Sequence, residues 1–132
     1  SAFGEHVIAF EVEEALKATI DKFPAQITEF HLAPQVNPAD GLPYHEWFIE
    51  FEKEPANFEA FKSELDLQLR QRNTYYDDLI SGNILQPLII TKLKKNAFQD
   101  YAKSEGKLGG QNKIPRLAND RKIATVLSDF KL

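Results

Sequence analysis

The sequence predicts an α+β fold: a ferredoxin-like, split βαβ sheet with helices mainly on one face, followed by C-terminal helices. Two observations predict it. Segments with helical apolar spacing alternate with strand-like segments, and two of the strand-like segments follow each other directly across a proline-rich connection. The chain has 132 residues, of which 42% are hydrophobic, which suits one hydrophobic core. We therefore expect a single domain over residues 1–132.

The first half of the chain supplies the first strands and helix of this order. The segment Phe3–Ile8 predicts a short opening strand, and Phe10–Phe23 has apolar residues at helical spacing until Pro24 ends the pattern. The stretches "QITEFHLAPQV" and "YHEWFIEFEKE" are rich in strand formers and alternate in polarity. The prolines and the Asp-Gly pair between them predict a long exposed hairpin connection.

The second half completes the pattern. Residues Ala56–Ile80 predict one long helix that Gly82 closes, and "LQPLIITKLKK" predicts a buried strand in spite of Pro87. A short helix is expected over Ala97–Ser104. The stretch "NDRKIATVLSDF" predicts a final helix with an Asn or Asp cap.

Charge is unevenly distributed along the chain. The formal net charge is −4, yet Lys103–Lys122 holds six basic and two acidic residues, a local charge of +4. Such a segment suits a small phosphorylated ligand, or it is a solvated basic tail. Nucleic acid is not an expected partner, because an acidic domain lacks the basic face that nucleic acid needs, and the strand around Trp47 carries acids.

Composition also predicts the cellular setting. No apolar run approaches the roughly 20 residues that cross a bilayer, so no membrane partner is expected. The chain has no Cys, which fits a reducing compartment, and we expect a cytoplasmic protein. It contains no Met and starts abruptly, so we expect a domain excised from a longer protein.

Catalytic and metal-binding patterns are sparse. His6, His31 and His45 show no metal-ligand spacing, so no metal site is expected and these residues are interpreted as ordinary surface or strand histidines. The strand acids Glu46, Glu50 and Glu52 share one face of the pleat and are expected to face water; Asn73 and Tyr76 either bind a neighbouring loop or, for Tyr76, belong to the core.

The stretch "GKLGGQNKIPRL" is the strongest candidate for chemistry. Gly109 and Gly110 permit close backbone approach, Gln111 offers an amide, and Lys113 supplies a mobile cation ahead of Arg116. The spacing differs from that of a Walker P-loop. The segment either presents a lysine to a phosphate or developing oxyanion, or is a surface turn between helices.

Three runs, "LDLQLRQRNTYYDDL", "QPLIITKLKKNAFQDY" and "GKLGGQNKIPRL", resemble in order and spacing the C-terminal part of the auxin-responsive (Gretchen Hagen type) acyl acid amido synthetases. These enzymes belong to the adenylate-forming superfamily. The opening "FGEHVIAFEVEEAL" is similar to the start of the small mobile domain in that superfamily. In two places the chain departs from the family pattern: "KNAF" lacks a glycine before Phe98, and acids rather than a basic residue follow Tyr76.

The resemblance implies a ligase reaction in two halves. ATP and a carboxylic acid form an acyl adenylate, and an amino acid then displaces AMP to give an amide. ATP and Mg²⁺ would serve the full-length enzyme, with neither bound by this fragment alone. The partner would be the enzyme's own N-terminal adenylation domain, absent here, and the small domain would rotate between the half-reactions. The fragment alone would be inactive.

The resemblance also implies site residues. Lys113 matches the family's loop lysine and would reach the adenylating site, while Gly109, Gly110 and Gln111 would shape the loop. Arg116 would either pair with phosphate or anchor the loop. Gly4 and Glu5 would lie at the hinge. The rival interpretation is a stand-alone ferredoxin-like regulatory module that binds a small anionic ligand or a protein.

Overall fold

The computed structural model describes residues 3–106 and 114–132, and it shows an α+β fold on a three-stranded mixed sheet. In chain order the elements are α1 (Ala9–Lys22), β1 (Gln26–Gln35), β2 (Tyr44–Lys53), α2 (Phe58–Arg72), α3 (Thr74–Ser81), β3 (Ile89–Lys92), α4 (Ala97–Ser104), α5 (Lys122–Leu127) and a 3-10 helix (Ser128–Phe130). None of the described helices is long and apolar enough to cross a membrane.

The sheet has the order β1-β2-β3 and contains both kinds of pairing. β1 and β2 form an antiparallel hairpin, in which Gln35 pairs with Tyr44 and the connection spans residues 36–43. β3 pairs with β2 in parallel, from Ile89 opposite Glu46 to Lys92 opposite Ile49. Parallel neighbours need a crossover connection, and α2 with α3 supplies it. The predicted α+β, ferredoxin-like fold class is confirmed.

The predicted opening strand over Phe3–Ile8 is wrong. This segment has no strand partner, and β3 takes the place directly beside β2. Two residues explain the difference: Gly4 has a φ of +83° and His6 a φ of +50°, and both values interrupt an extended strand. The segment is held by side chains instead.

Helices cover both faces of the sheet. Alternate residues of β2 point to opposite faces, so Trp47, Ile49 and Phe51 pack against α1, α2 and α3 in the larger core cluster. Phe48 faces the other way and packs with residues of α4 and α5. The helices that follow β3 therefore form a second, smaller core on the opposite face.

The predicted long helix is two helices. Asn73 ends α2 with an extended backbone, and its side-chain oxygen accepts a hydrogen bond from the Tyr76 amide at 2.8 Å to begin α3. Asparagine favours such a cap over a helix interior. The predicted strand around Pro87 is also shorter than expected, because the Leu88 amide donates to Asp66 at 3.1 Å rather than to a neighbouring strand.

The expectation that three acids of β2 face water is wrong for two of them. Glu46 and Glu50 are 6% and 4% exposed, whereas Glu52 is exposed. The Glu50 carboxylate accepts the amides of Asn96 at 2.9 Å and Phe98 at 3.1 Å, at the start of α4. The Asn96 side chain, at the N-cap position, makes no capping hydrogen bond. The Glu50 carboxylate therefore takes the place of a capping side chain.

Candidate functional site

The predicted site falls into two described parts, which the structure brings together. The hinge-side segment, residues 3–8, and the residues after the glycine-rich loop line one small cleft of about 20 Å³, room for about one water molecule. Its lining is Glu5, Val7, Leu32, Ala33, Pro34, His45, Leu117, Ala118 and Asn119. Gly109, Gly110, Gln111 and Lys113 lie outside the described residues.

Glu5 is fixed to this domain by a buried hydrogen bond to His45. Only 2% of the residue is exposed, and its Oε2 lies 2.7 Å from His45 Nε2, which donates to it. Its other oxygen accepts the Phe3 amide at 3.0 Å. Burial by itself would raise the pKa of Glu5, but hydrogen bonds from His45 and from the backbone outweigh it and lower the pKa to about 2. Glu5 is therefore ionised at neutral pH.

His45 connects Glu5 to the core. Its ring stacks on Tyr76 with centroids 4.8 Å apart, and the Tyr76 hydroxyl donates to the buried Asp66. Burial, and then the negative charge of Asp66, raise the pKa of Tyr76 well above its usual value. Tyr76 is fully buried, as the core alternative predicted. The hinge-side segment is thus held against the large core cluster through Glu5 and His45.

Gly4 contrasts with Glu5. It is exposed, and its φ of +83° favours glycine. Among the described residues, apart from the chain neighbours of Gly4, no atom lies within 4 Å of the place a Cβ would occupy. The two predicted hinge residues therefore differ in their attachment: the Glu5 side chain is bound and Gly4 has open space around it.

The residues after the loop are fastened to the outer edge of β1. His31 Nδ1 donates to the Pro115 carbonyl at 2.6 Å, the Leu32 amide donates to the Arg116 carbonyl at 2.8 Å, and the Ala118 amide donates to the Leu32 carbonyl at 3.0 Å. His31 is fully buried. Burial lowers its pKa despite the bond to Pro115, which raises it, so the ring is neutral when it donates. These bonds hold the loop exit as a short parallel addition to the sheet.

The Arg116 side chain adds to this fastening. Its Nε lies 2.9 Å from Glu29 and its Nη1 lies 3.1 Å from Glu13, and its guanidinium stacks over Phe30 at 5.1 Å. The hydrogen bond to Glu29, followed by that to Glu13, raises the pKa of Arg116. These are the contacts of an anchor. A phosphate contact by Arg116 stays a prediction.

Part of the predicted positive segment is paired with acidic residues of the same domain. Besides Arg116, Arg121 pairs with the buried Glu46 at 2.8 Å. Lys103 and Lys122 are exposed. Among residues 3–106 and 114–132, no group of three or more His, Cys, Asp or Glu side chains is placed to hold a metal ion.

His31 and His45 are functional candidates that the sequence reasoning missed. Each was interpreted as an ordinary strand histidine, and each in fact holds one part of the candidate site. Their partners lie 84 and 40 residues away in the chain, so no local spacing could have indicated these roles.

Comparisons with known proteins agree with this architecture. A family model described as the GH3 family C-terminal domain matches residues 10–122. A solved structure described as "GH3.15 acyl acid amido synthetase" is similar over 100% of this chain and 26% of its own, with a TM-score of 0.76 and 15% identity. Another, "AtGH3.15 acyl acid amido synthetase in complex with 2,4-DB", is similar over 92% of this chain and 23% of its own, with a TM-score of 0.69 and 14% identity. At these identities the likeness is one of fold. Comparison with curated protein sequences gave no match.

Proposed function

The chain belongs to the GH3 family as its C-terminal domain, and on this premise we propose that it is the mobile domain of an ATP-dependent acyl acid amido synthetase. The parent enzyme would activate a carboxylic acid as its adenylate, releasing pyrophosphate. An amino acid amine would then attack the acyl carbon, and AMP would leave as the amide bond forms. We place the enzyme in the cytoplasm and expect the isolated domain to be inactive, because most of the reaction site would lie on the N-terminal domain.

The observation that carries this proposal is the fastened loop exit beside the hinge-side segment. Pro115, Arg116 and Ala118 are bonded to β1, and the Gly106 amide donates to the Lys103 carbonyl of α4 at 3.0 Å. Folded structure therefore lies on both sides of residues 107–113. A loop supported in this way can present Lys113 to the reacting groups. There its ammonium would offset negative charge on the α-phosphate and the attacking carboxylate.

Rotation of the domain is assigned to Gly4 rather than Glu5. The buried pair with His45 makes Glu5 move with this domain, whereas Gly4 is exposed and has open space around it. A glycine at the border of a domain absorbs backbone rotation at low steric cost.

ATP and Mg²⁺ belong to the proposed reaction of the full-length enzyme. ATP supplies the adenylyl group, and Mg²⁺ neutralises its phosphates. The described residues of this domain assemble no acidic cluster that fits Mg²⁺. We therefore assign no Mg²⁺ ligand to this domain. Its proposed contribution to the reaction is the loop lysine, Lys113.

The test is ATP/pyrophosphate exchange by the full-length enzyme over a panel of carboxylic acids. We expect Lys113→Ala to lower the exchange rate by about 10²–10³-fold, the effect of removing one charge-stabilising group. The matched control is Lys103→Ala, an exposed lysine of α4, which should change the rate by less than about twofold. Equal rates for the Lys113→Ala and natural enzymes would refute the role of the lysine.

The same assay distinguishes the proposed enzyme from the rival interpretation, a stand-alone regulatory module. A stand-alone regulatory module would show no exchange with any acid and would need no upstream domain. Exchange by the natural enzyme therefore excludes it, whatever the effect of the lysine substitution.

A further inference from the structure

Large apolar side chains are exposed at one end of the sheet. Among the described residues, eight large hydrophobic side chains are at least 40% exposed, and six of them lie around the end where β1 stops and β2 begins. We refer to these six as the apolar end: Ile8, Phe10, Val36, Leu42, Tyr75 and Ile84.

The fold places these residues together. The hairpin connection, residues 36–43, leaves the sheet at this end. Gln86, just before β3, is bonded to this connection. Its backbone amide donates to the Pro43 carbonyl at 3.0 Å, and its side-chain amide donates to the Leu42 carbonyl at 2.7 Å. On the other side, the ring of His6 meets Tyr75 at 6.4 Å. α1 also begins here, just after the hinge-side segment.

The opposite end of the sheet has a different chemistry. There Lys92 pairs with Glu54 at 2.8 Å, and Lys22, at the end of α1, pairs with Glu64 at 3.4 Å. Charged pairs of this kind suit a surface that stays in water. The other two exposed apolar side chains lie singly, Leu132 beside Lys92 at this opposite end and Leu67 on α2. The grouping of six at one end indicates a surface that another body covers.

We propose that the apolar end is the surface on which the large N-terminal domain of the same polypeptide docks. The matching family model is that of a C-terminal domain, and the two similar solved chains are about four times as long as this one. Phe3 stacks on His45 with ring centroids 6.3 Å apart, so the hinge-side segment lies next to the apolar end. A domain joined to this segment is held at a high effective concentration against the surface around it. This inference rests on the proposed function.

The experiment uses the full-length chain and amide hydrogen exchange. The variant Leu42→Glu/Ile84→Glu places two charges on the apolar end, and Leu67→Glu on α2 is the control, since Leu67 is 44% exposed but belongs to another surface. We expect residues 36–43 and residues 3–8 to exchange roughly tenfold faster in the double variant, because charges in a docked apolar contact are strongly unfavourable. The control should match the natural chain.

Several outcomes would overturn the inference. Exchange unchanged in the double variant, or equally faster in the control, would show that the apolar end is not the docking surface. A double variant that dissociates an oligomer without faster exchange of residues 3–8 would assign the surface to a second copy of the chain. A second variant, Tyr75→Glu, should give the same faster exchange. Unchanged protection of the β2 amides would show that each variant is still folded. Pyrophosphate exchange by the natural enzyme tests the proposed function separately, since docking can be seen without it.

Discussion

At the scale of single residues, the Glu5–His45 pair attaches residues 3–8 to the rest of the domain. A carboxylate with so little exposed surface needs strong partners, and it has the His45 ring and the Phe3 amide. Where the positive φ of Gly4 and His6 interrupts an extended strand, the side chain of Glu5 makes the attachment instead of backbone pairing.

This pair predicts a pH dependence of stability. The pKa of Glu5 is about 2 in the folded chain against an ordinary 4.5 when unfolded, so its contribution is complete above about pH 4.5 and is lost as the pH falls toward 2. At pH 7, Glu5→Gln should lower the free energy of unfolding by about 1–3 kcal/mol. Urea unfolding at both ends of this range would show it.

The control for the Glu5 experiment is Glu52→Gln, an exposed carboxyl of β2. It should change the free energy of unfolding by less than about 0.5 kcal/mol at either pH. If the gap between the Glu5→Gln and natural chains stayed the same from pH 7 to about pH 2, the charge of Glu5 would have no role in stability.

At the scale of elements, α4 depends on a residue from another element. Its first amides are satisfied by Glu50 of β2, 46 and 48 residues earlier in the chain, while the residue before α4 has a left-handed backbone. A carboxylate at a helix N-terminus also interacts favourably with the helix dipole. The position of α4, and with it the start of the loop, is thereby tied to the central strand.

We expect Glu50→Ala to lower the free energy of unfolding by about 2–3 kcal/mol, because it leaves unpaired the buried amide of Phe98 and the partly buried amide of Asn96. Amide exchange of α4 should accelerate more than that of α1. The control is Glu52→Ala, on the same strand and the same pleat face but exposed, with an expected change below about 0.5 kcal/mol. Equal effects of the two substitutions would show that Glu50 does not cap α4.

At the scale of the whole molecule, Arg116 joins parts that are far apart in the chain. Glu29 and Glu13, its two partners, lie 87 and 103 residues before it. Through them the exit of the loop is attached to both β1 and α1. The two interpretations of Arg116, loop anchor and phosphate ligand, differ in whether these acids matter for the proposed reaction.

If Arg116 is an anchor, its acids should matter as much as it does. In the full-length enzyme we expect Arg116→Ala and the double variant Glu13→Gln/Glu29→Gln to lower pyrophosphate exchange by similar factors, roughly threefold to tenfold, as exposed ion pairs are individually weak. Both should also accelerate exchange of the Ala118 amide. A much larger loss for Arg116→Ala alone, with the acid variant unaffected, would favour phosphate binding instead.

Elements with local signals could be predicted from the amino-acid sequence alone. α1 and the two long strands lie within a residue or so of their predicted limits, and α4 spans Ala97–Ser104 as predicted. Apolar periodicity, and the end of a helix before Pro24, depend only on neighbouring residues, so both can be predicted from the sequence. The family, too, was indicated by the order and spacing of short runs, and the family match confirms it.

Tertiary structure decided what depends on distant partners. The burial of Glu46 and Glu50, and the attachments made by His31 and His45, arise from contacts across 40 or more residues. An alternating strand with acids on one face looks solvent-exposed until another layer, here α4 and α5, is known to cover that face. Burial and hydrogen-bond partners are properties of the packed molecule, and no local pattern carries them.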